Sequence, residues 1–459
     1  MKELFSGYYR PSEIDFQKIW QSATFVLDAN ILLNMYRYPE EARRQLFTVL
    51  QSIAPRLWVP YQAALEFQRN RLTVIAEQKK RFSDVRKVLD SSRAAMISEL
   101  EKLQLKKRHS SIQADELVSA LDQQITDFLA NLDQLEATQL SVTDSDPIRE
   151  QLDQLLKEKV GESFSQEEIT KIYQEGEIRF KSDIPPGYKD QKKETDSKSD
   201  IFSYGGVIYQ RKYGDLVLWK QIINKASQDS IQSIVFLTDD EKEDWWWITD
   251  SQGKNKIGPR PELVNEISRE AGTKLFYMYN SEQFLKYSKE FLNTNVTDES
   301  ISQVREVVRA SLEGRLAFRQ LELVAAKSVL IWLQKRYANF SILENKRGFP
   351  DYIVRDSESE INLGFKIKIF RDPLTARFIL RDQKYRGYYE TKEGSLDEIT
   401  FVFVMQDEEA AHQTIQILQK NNSQLPPCVN LIIGVANLEK EDDLTAEFYP
   451  LAEFNRDAL

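Results

Sequence analysis

The chain has 459 residues, 41% hydrophobic and 29% charged, with a formal net charge of −10; that length exceeds what one hydrophobic core supports, so two or three domains are expected and a disordered chain is excluded. A single cysteine, Cys428, excludes a disulfide framework or a cysteine-based metal site. The only two histidines, His109 and His412, exclude histidine-rich metal centres, two-histidine phosphodiesterases and Ser-His-Asp hydrolases, so an enzyme of this composition works with carboxylates. The N-terminal MKELFSGYYRPSEID lacks the apolar core of a signal peptide, and no run approaches the roughly 18 apolar residues of a spanning helix. A cytoplasmic protein without membrane contact is the expectation.

In chain order, TFVL (Thr24 to Leu27) is a short apolar run that stops at Asp28 and passes into a helical stretch, as a buried parallel strand feeding a helix does. RLWV (Arg56 to Val59) reads as a second strand, followed after Pro60 by a helix carrying Glu66. From about residue 77 to 180 the composition turns to Lys, Glu, Gln, Leu and Asp, and Val118, Leu121, Ile125, Phe128, Leu132 and Leu135 step by three and four residues. That spacing predicts a heptad seam and an antiparallel, coiled-coil-like arm, either a rigid insertion or a surface for a second copy or a partner protein. The polar stretch from Ser182 to Tyr213 reads as a loop. Gly214-Asp215 then opens a helix, SIVFLTDD (Ser233 to Asp240) is a strand ending in two acids, and the tryptophan run Trp245 to Trp247 precedes a loop, SQGKNKIGPRPEL. A helix and the strand KLFYMY (Lys274 to Tyr279) close a first α/β domain near residue 295. A long amphipathic helix from about Ser302 to Tyr337 and strands at YIV, LGFKIKIF, ITFVFVM and NLIIGVA form a second α/β domain over 300–459.

Parallel strands present their C-terminal ends to a common edge, where Asp28 and the Asp239/Asp240 pair can meet; Glu66 and Asp215, early in their helices, can point to the same edge. Carboxylates gathered without a matching basic cluster repel one another unless divalent cations neutralise them, which points to Mg2+ or Mn2+ and to a metal-activated water attacking a phosphodiester. Taken singly, each acid reads as a structural helix cap before it reads as a ligand; the combination is what capping alone does not explain.

The order FVLDANILL, VPYQAALEF, YGDLVLWKQII and IVFLTDD resembles the PIN-domain nucleases, and PPGYKD, EDWW and IGPRPEL resemble the PIN-like bacterial branch with a helical insertion. The resemblance spans about residues 1 to 295. It implies a parallel sheet flanked by helices and metal ligands at Asp28, Glu66, Asp215 and the TDD acids, with Asp240 favoured over Asp239 and with Asn30 and Thr238 shaping the site. It further implies an endonuclease cutting RNA or single-stranded DNA, in a toxin or defence setting. Lys189, Lys192, Lys193, Arg211 and Lys212 are candidate phosphate contacts, or else a solvated charged face. Tyr188 and the tryptophans are candidate base-stacking groups, with packing the expectation for at least two of the tryptophans.

In the second domain, FPDYIVRDSESEINLGFKIKIF resembles the core of restriction-endonuclease-like domains, with Asp351 as the first acid and Lys368 as the lysine. Lys366 stands where the metal-binding Glu would be, so an inactive domain is expected, with Lys366, Lys368, Arg381, Lys384 and Arg386 as a remaining basic surface. The leading expectation for the whole chain is a Mg2+- or Mn2+-dependent endonuclease. The alternative is a non-catalytic nucleic-acid-binding or scaffold protein on the same fold.

Overall fold

In the computed structural model the elements run α1 (Glu13–Ser22), β1 (Thr24–Leu27), α2 (Ala29–Asn34), α3 (Glu40–Ser52), β2 (Leu57–Trp58), α4 (Tyr61–Lys102), α5 (Ala114–Thr138), α6 (Pro147–Leu155) and α7 (Gln166–Lys181). They continue with β3 (Ile201–Tyr204), β4 (Val207–Gln210), α8 (Gly214–Gln228), β5 (Ser233–Leu237), β6 (Trp246–Asp250), β7 (Lys254–Pro259), α9 (Pro261–Ala271), β8 (Leu275–Tyr279) and α10 (Ser281–Phe291). The last third holds α11 (Asp298–Arg336), β9 (Ser341–Glu344), β10 (Tyr352–Arg355), β11 (Asn362–Phe370), α12 (Pro373–Lys392), β12 (Glu398–Met405), α13 (Glu408–Lys420), β13 (Val429–Ala436) and β14 (Phe448–Phe454). The structure describes residues 1, 4–104, 114–190, 201–250, 254–345, 349–356, 361–370, 373–392, 394, 396–405, 407–420, 424–436 and 447–455. The chain forms two units, Met1–Ser163 with Lys220–Val308, and Phe164–Trp219 with Arg309–Leu459.

The first unit is built on a four-stranded parallel sheet in the order β2-β1-β5-β8. Phe25, Val26 and Leu27 of β1 and every residue of β5 are buried, as continuous apolar runs must be when helices cover both faces. Leu27 pairs with Leu237, and Leu237 with Tyr279, so β1, β5 and β8 end side by side. Trp20 of α1 lies fully buried against Phe25 and Tyr279 and stacks on Phe284 and Phe291 of α10 at 5.7 Å, fixing both helices on the sheet. Trp245 and Trp246 are also buried, Trp245 with its ring 5.1 Å from that of Phe236, as the packing reading expects.

Helices α4 and α5 pair antiparallel, with Arg86 bridged to Asp133 and Glu136 and Arg93 to Asp122. The seam differs from the heptad expectation. Phe128 and Leu135 are about half exposed, at 49% and 54%, while Leu132 is buried and Val118, Leu121, Ile125 and Leu129 are half-buried. Leu129 takes the place predicted for Phe128, and the steps of three, four, four and three still average the 3.5 residues of a heptad, so the stripe keeps its period and only its side is shifted. Leu132→Ala is therefore expected to weaken the arm by about 2 kcal/mol and Phe128→Ser by no more than about 0.5 kcal/mol. Hydrogen exchange at the α5 amides measures both.

Two stretches read as loops contain strands. Within Ser182 to Tyr213, β3 and β4 form a hairpin around Gly205-Gly206, both at positive φ (60° and 79°), the backbone of a tight two-residue turn. Within SQGKNKIGPRPEL, Lys254–Pro259 pairs with Trp246–Asp250, with a bulge between Trp247 and Ile248. Polar side chains hide the alternation in Lys254–Pro259, while Ile201–Tyr204 and Val207–Gln210 are runs of four residues, too short to stand out from the polar stretch around them.

The second unit carries a six-stranded mixed sheet, β14-β13-β12-β11-β10-β9, parallel through β11, β12 and β13 and antiparallel elsewhere. Phe365, Ile367 and Ile369 face Ala325, Val329 and Leu333 of α11, while Phe401, Phe403 and Leu431 face α12 and α13. Among the described residues no helix is long and apolar enough to cross a membrane.

Candidate active site

Asp28 follows β1 directly and caps α2, one carboxylate oxygen accepting the Ala29 N–H at 2.7 Å. Its other oxygen accepts from the Thr238 hydroxyl at 2.6 Å and from the Asn30 amide. Thr238, at the end of β5, is fully buried, and its Oγ also accepts from Asn30 Nδ2 and from the backbone N–H of Asp240, each at 3.0 Å. One hydroxyl thus ties the Asp28 carboxylate to the backbone of Asp240. The register of β1 on β5 makes this possible, since it sets Asp28 beside Thr238. The Asp240 carboxylate is partly open, with a side chain 15% exposed, and pairs with Lys242 through both its backbone N–H and its ammonium, each at 2.9 Å.

Asp239 faces the opposite way and is 1% exposed. Its Oδ1 accepts the Ser281 N–H, and its Oδ2 accepts from Ser281 Oγ and Asn34 Nδ2, all at 2.8 Å, and from the Tyr38 hydroxyl at 3.4 Å. Burial nevertheless pushes its carboxyl above the ordinary carboxylate value, because those hydrogen bonds offset only part of the lost hydration. Its backbone N–H donates to Asn30 Oδ1 at 2.9 Å, so Asn30 bridges Asp28, Thr238 and Asp239.

Glu66 sits in the first turns of α4 with an exposed side chain. Asp215 lies half-buried in the first turn of α8. The PPGYKD motif packs on it: a Cβ placed on Gly187 (φ +92°) would stand 3.2 Å from Asp215 Cβ and 3.2 Å from the Phe180 ring. Arg179 holds this turn through the Pro185 carbonyl and Glu175. Gly187→Ala is expected to cost about 2 kcal/mol through its positive φ alone, seen as a lower melting temperature. Lys189 is exposed beside the Tyr188 ring, and Arg211 and Lys212 are half-buried. Lys192 and Lys193 lie outside the described residues. Among the described residues no three acids, histidines or cysteines stand within reach of one ion.

The donors at the strand ends nonetheless suit a divalent cation. They are hard carboxylate oxygens, and Asp28 and Asp240 are each partly open at neighbouring strand ends. Asp28 and Asp240 are the residues that would hold such an ion.

In the second unit, Asp351 accepts from the Ile367 N–H at 2.6 Å and from the Lys366 ammonium at 2.7 Å. Lys366 and Lys368 are 1% and 3% exposed, which corrects the expectation of a basic surface: on the face that β11 turns to α12 they are enclosed. Arg386 covers the Phe349 ring at 4.2 Å, and the Lys384 ammonium donates to the Gln424 carbonyl. Only Arg381 of the five basic residues is exposed.

Sequence reasoning missed Asn34, Tyr38, Ser281 and Lys242. Asn34 carried a signal, standing four residues after Asn30 on the same face of α2; the others depend on how α10 and the chain after β5 pack.

A parallel sheet whose neighbouring strands end in carboxylates, flanked by helices, is the architecture of an α/β hydrolytic or ligand-binding domain. The profile of the family described as "PIN like domain" matches residues 24–263, more than half of the chain, and the protein belongs to that family. PIN-like domains are usually nucleases and generally depend on divalent metal. No curated protein and no solved structure matches the chain.

Proposed function

We propose that the chain is a Mg2+- or Mn2+-dependent endonuclease that hydrolyses phosphodiester bonds in RNA or single-stranded DNA. The observation that carries this reading is the placement of Asp28 and Asp240 at adjoining strand ends, joined through the Thr238 hydroxyl. Asp28 and Asp240 hold the cation, and on the family's motif order Asp215 and Glu66 are assigned the same role. The bound ion supplies a water of lowered pKa and an electrophile for the phosphate oxygens. Thr238 and Asn30 orient the Asp28 carboxylate by donating to it, which fixes its rotamer. Lys242 neutralises Asp240 in the absence of metal. Asp239 is assigned a structural role, because it is 1% exposed beneath Ser281, Asn34 and Tyr38, whereas Asp28 and Asp240 are each partly open.

Nucleic acid is proposed to be held through Lys189, Lys192, Lys193, Arg211 and Lys212, whose phosphate contacts confer affinity without sequence choice. The second domain, 300–459, is proposed to be a restriction-endonuclease-like fold without activity, since the Lys366 ammonium sits on the one acid, Asp351, that a cation would use. The test is cleavage of mixed-sequence single-stranded RNA and DNA by the full chain with manganese and with chelator. Cleavage confined to the manganese samples is expected, and cleavage indifferent to chelator overturns the proposal.

A further inference from the structure

Away from the strand ends, where α3 and α6 begin beside α4 and the end of α5, the first unit encloses a half-open polar cleft of about 680 Å³. Its size matches that of small-molecule sites, which run from about 300 to 1,000 Å³. Arg37 and Arg43 both line it. Arg37 is fixed from behind, donating to Asn34 Oδ1 at 3.1 Å and pairing with Glu77 at 3.4 Å. Arg43 is half-buried, and among the described residues its guanidinium makes neither a hydrogen bond nor an ion pair. A guanidinium at a cleft mouth with its donors open to solvent is available to an anion, and its fork matches phosphate.

The rest of the lining suits more than a bare phosphate. Tyr36 and Tyr38, 6% and 3% exposed, form part of its floor, their hydroxyls being engaged by Asp146 and Asp239. Gln78 and Gln139 offer amide groups that both donate and accept, the chemistry that reads base edges. Glu40 and Asp144, at the same cleft, repel a phosphate but accept from ribose hydroxyls and exocyclic amines. We infer that this cleft binds a mononucleotide, with the phosphate on Arg43 and Arg37 and the base on the floor that the tyrosines help to form, its edge toward the glutamines.

The cleft is wired to the strand ends. Arg37 holds Asn34, Asn34 Nδ2 holds Asp239, the Asp239 N–H holds Asn30 Oδ1, and Asn30 Nδ2 holds Asp28. A phosphate drawing Arg37 outward acts on Asn34 and through it on the carboxylate that Asn30 orients. Binding at the cleft stands independently of the nuclease reading; only the consequence of this relay for catalysis rests on it.

The experiment is calorimetric titration of the full chain, in chelator, with AMP, GMP, CMP and UMP, and with adenosine and inorganic phosphate as separate probes. At least one monophosphate is expected to bind at least about tenfold more tightly than either component probe, and Arg43→Gln to weaken it about tenfold. Arg43→Lys, which keeps the charge and loses the fork, is expected to fall between, with both variants melting as the wild type does. Asp240→Asn, outside the relay, is expected to bind as the wild type does, which separates the cleft from the strand-end site even where no cleavage is found. Absence of binding by all four nucleotides, or equal affinity in the wild type and both Arg43 variants, overturns the proposal. Saturating nucleotide is also expected to slow hydrogen exchange over Asn30–Asn34 and at Asp239; protection confined to the cleft lining overturns the relay.

Discussion

Asp28→Asn is expected to reduce phosphodiester cleavage about a thousandfold in manganese while leaving the first unit folded. The substitution keeps the shape of the side chain and removes one negative charge from the strand ends. Asparagine caps helices as well as aspartate does, so the Ala29 N–H keeps an acceptor at the start of α2. The Thr238 hydroxyl can turn to another acceptor, which limits the stability cost to about 1 kcal/mol. The measurement is initial cleavage rate on mixed RNA and DNA oligonucleotides alongside a thermal melt. Equal rates for wild type and variant would remove the proposed function; a collapsed melt would instead make Asp28 a structural cap.

Asp239→Ala, one strand position before Asp240, is expected to do the reverse. It strips the acceptor from Ser281, Asn34 and Tyr38 in a site with no solvent. Leaving several buried donors unpaired costs about 4 kcal/mol, which lowers the melting step of the first unit by about 10 °C. The effect also carries a sign in pH. Burial raises the Asp239 carboxyl above its ordinary value of 3.8, so the folded form holds its proton more tightly than the unfolded chain. A raised folded pKa contributes stability that is full below the unfolded value and is lost as pH rises through the folded one. The gap in stability between wild type and Asp239→Ala is therefore expected to be wider at about pH 4 than at about pH 8, because the ordinary carboxylate range lies near the lower of these. Denaturant titrations at the two pH values read it. A gap that widens with pH would mean that the four hydrogen bonds outweigh burial at this carboxylate.

Together the two substitutions separate neighbouring acids that look alike in the sequence. Asp239 and Asp240 follow the same apolar strand, and chain alternation alone says that they point to opposite sides. Which side is open is decided by α10: Ser281, at its first turn, closes over Asp239 and leaves Asp240 at the edge with Lys242. No period in the sequence encodes that, since Ser281 is 42 residues away.

The sequence by itself determined the elements whose signal is local. Apolar runs broken by acids at Asp28 and after Leu237 define buried parallel strands and their loaded ends, and the motif order along residues 24–263 belongs to the PIN-like family. It also determined the antiparallel pairing of α4 and α5 in outline, because long helices rich in Leu and charge have no other way to cover a narrow apolar stripe. The tertiary structure decided the rest. It chose Leu129 over Phe128 as a seam residue, since the side of α5 that α4 covers is set by how the two helices meet. It enclosed Lys366 and Lys368 beneath α12, where a strand pattern shows only which face they share. It also opened a cleft beside α3 lined by Arg37 and Arg43, from residues spread between positions 36 and 148. Such features arise where separate elements meet, and periodicity reports a residue's own element, never what packs against it.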